Sequence, residues 1–368
     1  MKSVTSTLLN WYQQNKRDLP WRHTKDPYKI WLCEIIMQQT RVAQGLAYYQ
    51  KFVETFPTPA ALARAREDDV LKLWQGLGYY SRARNLHAAA QSMNGTFPPT
   101  YEGVRALKGV GDYTAAAICS IAYDMPYAVV DGNVYRVLAR VFGIDTPIDS
   151  TKGKKQFTQL AQTLLDKKHP GDFNQALMDF GAIVCTPQAP QCLTCPLAGT
   201  CKARKEGRQE QLPVKAQKTK VSTRYFHYIY VKQGEFTWLR KRGAGDVWQN
   251  LYELPLIETD SERLPPKHPQ LRKWFGAVPI VPPHPACSHL LPQGAKAKKA
   301  QTPQRPLGRG KLLSPVKHVL SHQIIYAYLY QVTLPLARKV PDGFIKIPAD
   351  QLPRYAVSRL VQKLVEKI

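Results

Sequence analysis

The sequence predicts two folded parts, an all-α region followed by an α+β domain, and three observations support this. Residues 5–205 show helical patterns separated by short loops. Residues 202–220 are polar and basic, as linkers often are. From residue 221 onward, short runs rich in β-branched and aromatic residues indicate strands. A chain of 368 residues is long enough for each part to have its own core.

The clearest helix signal is Asp26-Pro27, because Asp can cap a helix and Pro suits its first position. Helices are predicted at residues 28–42, 70–74, 82–93, 101–107, 113–123, 134–142, 157–165 and 174–184. Strands are predicted at residues 225–231, 236–240, 324–332 and 343–347, with a closing helix at 354–368. Residues 282–315, rich in Pro, Gly, Lys and Gln, are expected to form a basic loop or a disordered insertion without a role.

The charge balance indicates a polyanionic partner. The chain has 52 Lys and Arg against 27 Asp and Glu, a net charge of +25, and both parts are basic. No apolar run is long enough to span a membrane, and the N-terminus lacks the apolar core of a signal peptide. We therefore expect a cytoplasmic protein with reduced thiols and no membrane partner.

A glycine pair marks the most informative segment. Gly109 and Gly111 lie between two helical runs, so the backbone can turn tightly and expose N–H groups at a helix N-terminus, where a phosphate is favoured. Asp131 follows 18 residues after Tyr113, at the end of an apolar run and ahead of a new helical pattern. A phosphate-binding turn followed by a carboxylate at the start of a helix suggests chemistry on a nucleic acid backbone or sugar.

Two carboxylates are candidates for acid–base chemistry. Glu34 shares its helix face with apolar residues, so poor hydration should raise its pKa and make it a proton donor near neutral pH. Asp131, as the N-cap of the helix that begins near Gly132, should accept backbone N–H bonds and stay ionised. The structural alternatives are a buried ion pair of Glu34 with Arg22 or Arg41, and a simple helix cap at Asp131.

Four cysteines lie within 17 residues, at Cys185, Cys192, Cys195 and Cys201. Four thiolates this close can hold one metal centre, and the spacing alone does not separate a zinc ion from a [4Fe-4S] cluster. No open coordination position is evident, so a structural role is expected. The remaining cysteines, Cys33, Cys119 and Cys287, are scattered and expected to be inert.

Six motifs together resemble the helix-hairpin-helix DNA glycosylases, and most closely the MutY-type adenine DNA glycosylases. They are LPWR at 19–22, PYKIWLCEIIMQQTRV at 27–42, GLGYYSRARNL at 76–86, LKGVGDYTAAAI at 107–118, VDGNVYRVLAR at 130–140, and the cysteine quartet. The resemblance covers nearly the whole chain. It implies a catalytic region at 1–205, with a six-helix module at about 23–131 and an iron–sulfur module formed by 1–22 and 132–205. A linker at 206–220 and a Nudix-like domain at 221–368 follow.

The resemblance also implies a reaction, hydrolysis of the N-glycosidic bond of adenine mispaired with 8-oxoguanine or guanine in double-stranded DNA. Glu34 would protonate the adenine and Asp131 would stabilise the oxocarbenium-like sugar, while Tyr113 and Asn133 would lie beside them. The base must first leave the stack. Further implied contacts to DNA involve Trp21 and Arg22 at the base, Gln39 and Tyr79 as wedges, and the amides of Gly109 and Gly111 at a phosphate. The quartet would carry [4Fe-4S], and the hairpin carbonyls could hold a monovalent cation.

Two positions refine this expectation. Bifunctional relatives of the endonuclease-three type carry a lysine where Tyr113 stands, so we expect a monofunctional enzyme without an efficient lyase step. In the second domain, Ser321 and His322 match a Phe-Ser-His loop that senses 8-oxoguanine, although Leu320 replaces the Phe. The Glu-rich pyrophosphohydrolase signature is absent after Pro255, so nucleotide hydrolysis there is not expected.

Two rival functions remain open. A related glycosylase with another damaged-base substrate would share the fold, and a non-catalytic DNA-binding protein would explain the charge, the hairpin and the quartet. The second rival leaves the two carboxylates without a reason. The sequence does not encode an oligomeric state, and a monomer is the simplest expectation.

Overall fold

The structure is a computed structural model that describes residues 2–216, 221–276 and 312–368. The chain divides into two compact units. The first comprises Met1–Leu73 and Arg82–Lys218, and the second comprises Trp74–Ser81 and Thr219–Ile368. The short segment from Trp74 to Ser81 therefore belongs by its contacts to the second unit, although its neighbours in sequence are helices of the first.

The first unit is built from helices. In chain order they are α1 (Lys2–Asn15), α2 (Pro27–Met37), α3 (Val42–Thr55), α4 (Pro59–Arg64), α5 (Glu67–Leu73), α6 (Ser81–Ser92), α7 (Tyr101–Ala106), α8 (Asp112–Ala122), α9 (Gly132–Phe142), α10 (Thr151–Leu164), α11 (Pro170–Ile183) and α12 (Lys202–Lys205). A short 3-10 turn at Pro20–Arg22 follows α1.

The predicted helix at 28–42 is shorter in the structure. It begins as expected, with the Asp26 side chain accepting from the Tyr28 and Lys29 amides and Pro27 in the first turn. It ends at Met37, however, and a turn at residues 38–41 separates it from α3. Gln39 has a φ of 56° in that turn, in the left-handed region where only glycine is unstrained.

One core of the first unit is formed by α1, α9, α10 and α11. Its fully buried aromatic side chains are Phe157, Phe173 and Phe180. Part of the segment expected to be a linker also packs here, since Leu212 is buried and its carbonyl accepts from Arg140 Nε at 3.1 Å. Residues 217–220 of that segment lie outside the described residues.

The second unit contains two sheets and two α-helices within its described residues. Its strands are β1 (Ser222–Lys232), β2 (Phe236–Lys241), β3 (Tyr252–Glu253), β4 (Leu256–Thr259), β5 (Leu312–Val319), β6 (Gln323–Thr333) and β7 (Ile345–Pro348), and its helices are α13 (Pro269–Phe275) and α14 (Arg359–Val365). One sheet has the order β4-β1-β6-β5 and the other β3-β2-β7. Only β1 and β6 pair in parallel among the strand pairs that the structure describes.

The predicted α+β character of the second part is therefore confirmed. The four predicted strands correspond to β1, β2, β6 and β7, and the closing helix is shorter, with a 3-10 turn at Ala349–Arg354 before α14. Most of the predicted basic loop, residues 282–311, lies outside the described residues, as does Cys287. No helix in the described part of the chain is long and apolar enough to cross a membrane.

Candidate active site

Glu34 occupies the middle of α2, a helix that is otherwise almost entirely apolar and buried. Its carboxylate accepts a hydrogen bond from the Tyr113 hydroxyl, with 3.2 Å between the phenol oxygen and Oε2. Tyr113 lies in the first turn of α8, directly after the glycine hairpin, and its hydroxyl also lies 3.6 Å from Met178 Sδ on α11. Three helices thus enclose one carboxylic acid.

This enclosure changes the acidity of Glu34 as the sequence predicts. The pKa of Glu34 is raised from 4.5 to about 7, mainly by burial, and the nearby Asp131 carboxylate acts in the same direction. The hydrogen bond from Tyr113 and the charge of Arg22 act in the opposite direction. A group with this pKa is about half protonated at pH 7, which suits a general acid.

Asp131 caps α9, as predicted. Its Oδ1 accepts from the Val134 amide at 2.7 Å, and its Oδ2 accepts from Asn133 Nδ2 at 2.7 Å. Burial nevertheless raises the pKa of Asp131, while these two donors and the charge of Arg136 lower it. The expectation that Asp131 stays ionised took no account of this burial, and the donors are what favour its carboxylate form.

A chain of hydrogen bonds continues from Asp131 towards the cysteine loop. Asn133 accepts from Arg136 Nη2 at 2.8 Å, and Arg136 Nε donates to the Cys185 carbonyl at 2.7 Å. Arg136 Nη2 also donates to the Gly181 carbonyl at 2.7 Å. A Cβ on Gly181 would meet Asn133 Cβ at 2.6 Å, so α9 and α11 can approach this closely only with glycine here.

A cavity of about 660 Å³ opens beside α1 and α11 in the same unit. It is lined by the predicted Trp21 and Arg22, and also by Tyr12, Arg17 and Gln175, which the sequence analysis missed. Neither carboxylate of the acid–base pair lines it. The charge of Arg22 still lowers the pKa of Glu34, so the same guanidinium lines the cavity and influences the acid.

The arginines of the cavity are held by a buried acid that carried no sequence signal. Asp179 is fully buried on α11 and its Oδ1 accepts from Arg17 Nη2 at 2.5 Å and Arg22 Nη2 at 2.9 Å. Arg22 Nη1 donates to the Tyr12 hydroxyl, which donates to Gln175 Oε1 at 3.0 Å. Arg22 is therefore paired with Asp179, rather than with Glu34 as one structural alternative supposed.

The two glycine positions of the hairpin differ in whether the structure there requires glycine. Gly109 has a φ of 83°, and a Cβ there would lie 2.8 Å from Asn85 Cβ, so both the backbone and the space demand glycine. Gly111 is the N-cap of α8 with an ordinary φ of −96° and open space around it. Arg105 Nη1 donates to the Val110 carbonyl at 3.0 Å, and Arg105 Nε to Asp112 at 2.5 Å.

The four predicted cysteine ligands lie near one another, since the thiols of Cys185, Cys192 and Cys201 all influence the pKa of Cys195. Arg140 Nη1 lies 3.5 Å from Cys185 Sγ, a donor that favours a thiolate. Within the described residues, however, no group of His, Cys, Asp and Glu has metal-binding geometry. The donor set is chemically suited to a metal, since four thiols and a charged donor lie near one another.

The residues predicted to wedge or sense DNA are exposed. Gln39 is exposed at the end of α2, and Tyr79 is 46% exposed with a φ of 45°. Within the second unit, the Tyr79 hydroxyl is hydrogen-bonded to Ser321 Oγ, in the turn between β5 and β6. His322 is exposed and its carbonyl accepts from the Ser222 amide at 3.0 Å, so it is not the core histidine of the structural alternative.

Comparison with known proteins identifies the family. A family model described as "HhH-GPD superfamily base excision DNA repair protein" matches residues 32–166, and a NUDIX domain model matches residues 226–367. A protein of Buchnera aphidicola (Acyrthosiphon pisum) named adenine DNA glycosylase is 36% identical over 262 residues, which cover 70% of this chain and 75% of that protein. The chain belongs to the adenine DNA glycosylase family.

Other relatives of the family match a smaller share. Human adenine DNA glycosylase is 47% identical over 219 residues, which cover 56% of this chain and 40% of the human protein. Among solved structures, a thermostable thymine-DNA glycosylase is similar with a TM-score of 0.52 and 32% identity, covering 56% of this chain and 96% of that chain. Family membership confirms the predicted fold class and the enzyme class, a DNA glycosylase with DNA as its partner.

Proposed function

We propose that this chain is a monofunctional glycosylase that hydrolyses the N-glycosidic bond of adenine mispaired with 8-oxoguanine or guanine in double-stranded DNA. The observation that carries the proposal is the pairing of a half-protonated Glu34 with a cap-stabilised Asp131 in one unit. The family name, which its relatives carry, supports adenine as the base removed.

The reaction requires one proton and one stabilising charge. The base leaves the stack, and Glu34 donates its proton to a ring nitrogen, so that the electrons of the breaking C1′–N9 bond pass to a positively charged ring, which leaves as neutral adenine. Asp131 stabilises the positive sugar that develops, and a water molecule then adds to C1′ and loses a proton. Asn133 holds the Asp131 carboxylate in place through their 2.7 Å hydrogen bond.

The cavity beside α11 supports recognition of an extruded base. Trp21 offers an aromatic surface, and the Gln175 amide is a side chain well suited to pair with an adenine edge. Arg17 and Arg22 are donors fixed by Asp179, and so lose little freedom when they bind. Because neither Glu34 nor Asp131 lines this cavity, we expect these residues to bind the extruded base on its way to the acid, and not at the point of protonation.

Tyr113 supports a reaction that stops after base removal. A phenol cannot form a Schiff base with the sugar, and burial holds the Tyr113 pKa above its usual value, so the group stays a neutral hydrogen-bond donor. Its partner is Glu34 itself. Strand cleavage that keeps pace with adenine release would contradict this assignment.

The cysteine quartet would hold a [4Fe-4S] cluster, as the resemblance implies, and a zinc ion is the alternative. The four neighbouring thiols and the Arg140 donor support a metal centre. Such a cluster would stabilise the loop after α11, from which Cys185 reaches Asn133 through Arg136. Iron content and visible absorption of the purified protein distinguish the two metals. A monovalent cation at the hairpin stays a prediction, and Arg105 already binds the Val110 carbonyl.

Ser321 and His322 would contact the base opposite the adenine. Both are exposed in the turn between β5 and β6, where a DNA base can reach them. Leu320 at the preceding position offers an aliphatic contact in place of an aromatic one. The cytoplasmic location and the monomeric state remain predictions from the sequence.

The proposal is tested by single-turnover excision from a duplex with adenine opposite 8-oxoguanine. Wild-type protein should release adenine, whereas Glu34→Gln and Asp131→Asn should bind the duplex and release about 100-fold less, the usual scale for loss of general acid or electrostatic catalysis. A duplex with thymine opposite guanine serves as the competing substrate. Release of thymine but not adenine, or equal rates for wild type and both variants, would refute the proposal.

A further inference from the structure

The turn that ends α2 has an unusual construction. The last four carbonyls of an α-helix lack helical partners, and a glycine in the left-handed conformation commonly closes the end. Here Gln38 is the C-cap and Gln39 takes the left-handed position, with a φ of 56°. A non-glycine residue in that conformation is strained and persists only where the surroundings enforce it.

Arg82 supplies that enforcement from the first turn of α6. A single nitrogen, Nη1, lies 3.0 Å from the Ile35 carbonyl, 3.0 Å from the Ile36 carbonyl and 2.5 Å from the Gln38 carbonyl. Both terminal nitrogens also approach Thr40 Oγ1, at 3.4 and 3.5 Å. The side chain is 9% exposed, so it acts largely out of water.

This placement is electrostatically favourable. The C-terminus of a helix carries partial negative charge, so a cation there is stabilised and in turn stabilises the helix end. Hydrogen bonds from a charged donor to carbonyls are stronger than neutral ones. Removal of the guanidinium would leave buried carbonyls unsatisfied, at a site where the backbone is already strained.

The other side of the turn is held by α8. Gln38 Nε2 donates to Thr114 Oγ1 at 3.2 Å, and Thr114 is buried next to Tyr113 in the sequence. The Thr40 amide donates to the Met37 carbonyl at 3.1 Å. With its neighbours fixed from both α6 and α8, the exposed side chain of Gln39 projects from a turn that has little freedom to move.

We propose that Arg82 is a positioning residue that fixes the α2 turn so that Gln39 stands as a rigid probe at the DNA. The proposal rests on the proposed function, in which Gln39 inserts beside the extruded base. Rigidity matters there, because a side chain that must be ordered on insertion gives up part of its binding energy to that ordering. Arg82 would act on base extrusion through Gln39 and does not itself touch the reacting atoms.

A double-mutant cycle tests the proposal. Arg82→Met removes the charged donors while retaining a long side chain, and we expect it to slow adenine release about 10-fold in an otherwise wild-type protein. In a Gln39→Ala background, where the probe is already absent, we expect the same change to slow release less than about twofold. Equal losses in the two backgrounds would show a general structural role and would overturn the proposal.

Base extrusion can also be measured without chemistry. A fluorescent purine replaces the target adenine, and Glu34→Gln protein is used so that the base stays attached. Arg82→Met should reduce the fluorescence gain on binding, because less of the base leaves the stack. Unchanged fluorescence would overturn the proposal.

Two further variants separate the contacts of Arg82 from the effect of positive charge alone. Arg82→Lys retains a charged nitrogen donor on a shorter side chain, and should slow adenine release less than Arg82→Met does. Arg66→Met removes an exposed arginine whose side chain is 77% accessible, as a control for positive charge alone. If Arg66→Met and Arg82→Met slow release equally, the effect is general phosphate attraction and the inference is wrong. If wild-type protein releases no adenine at all, the proposed function fails instead.

Discussion

Removing the Tyr113 hydroxyl should move the pH dependence of adenine release towards alkaline pH. The acid must be protonated to act, so the wild-type rate should be high below the Glu34 pKa of about 7 and should fall above it. At pH 8 only about one tenth of Glu34 is protonated. The Tyr113 hydrogen bond lowers this pKa by stabilising the carboxylate, so Tyr113→Phe should raise it.

The size of the shift follows from the single bond that is lost. A hydrogen bond of about 1 kcal/mol corresponds to roughly 0.7 pKa unit, which would place the inflection near pH 7.7. At pH 8 about one third of Glu34 would then be protonated, about three times the wild-type fraction. Each profile is scaled to its own plateau, so that a change in the absolute rate does not enter the comparison.

The assay measures single-turnover adenine release from pH 5.5 to 9. A fluorescence titration at each pH checks that the duplex is fully bound. Tyr123→Phe is the matched control, because Tyr123 follows the same helix and its hydroxyl donates to the Pro98 carbonyl instead. An inflection that stays in place, or that moves to acid pH in Tyr113→Phe, would refute the assignment of Glu34 as the acid.

Three further predictions concern stability and position. Because the pKa of Glu34 is raised from 4.5 to about 7 on folding, the folded protein binds more protons between these pH values and loses stability as the pH rises through them. Glu34→Gln removes this loss and should raise the free energy of unfolding by up to about 3 kcal/mol at pH 8 and by much less at pH 4. Denaturant titration measures both values. Asp179→Asn removes the charge of a fully buried carboxylate that pairs with two arginines, and should destabilise the protein by about 3 kcal/mol. Asp18→Asn, at an exposed carboxylate, should change the free energy of unfolding in the same titration by less than about 0.5 kcal/mol. Gly181→Ala forces a Cβ against Asn133, so it should lower the free energy of unfolding by about 1–3 kcal/mol and slow adenine release. A variant with wild-type rate and stability would show that α9 and α11 can separate without an energetic cost.

Local chemistry explains what the sequence predicted well. Asp26-Pro27 and Asp131 each begin a helix through contacts within three residues, so their roles are visible in a short window of sequence. Glu34 stands out in the same way, as a single carboxylate among apolar helix neighbours. The family models confirm the two-part fold for residues 32–166 and 226–367.

Contacts between distant residues explain what was missed. The carbonyls at the end of α2 accept hydrogen bonds from Arg82, which lies more than forty residues after Met37 and leaves no trace in the sequence around the helix end. Asp179 meets Arg17 across 162 positions, so neither residue signals the cavity by its neighbours. The parallel pairing of β1 with β6 likewise joins strands about a hundred residues apart.

The assignment of Trp74–Ser81 to the second unit has a practical consequence for dissecting the enzyme. Tyr80 donates to the Val357 carbonyl, and the Val357 amide donates to Gln75, so these residues are anchored by the far end of the chain. A protein cut at residue 216 would keep this octapeptide but lose its anchor. This segment, which includes the buried Trp74, would then lose the hydrogen bonds that tie it to residue 357. Such a truncated enzyme should aggregate and should be cleaved readily by protease at residues 74–81. The two units should therefore be present together when either is studied.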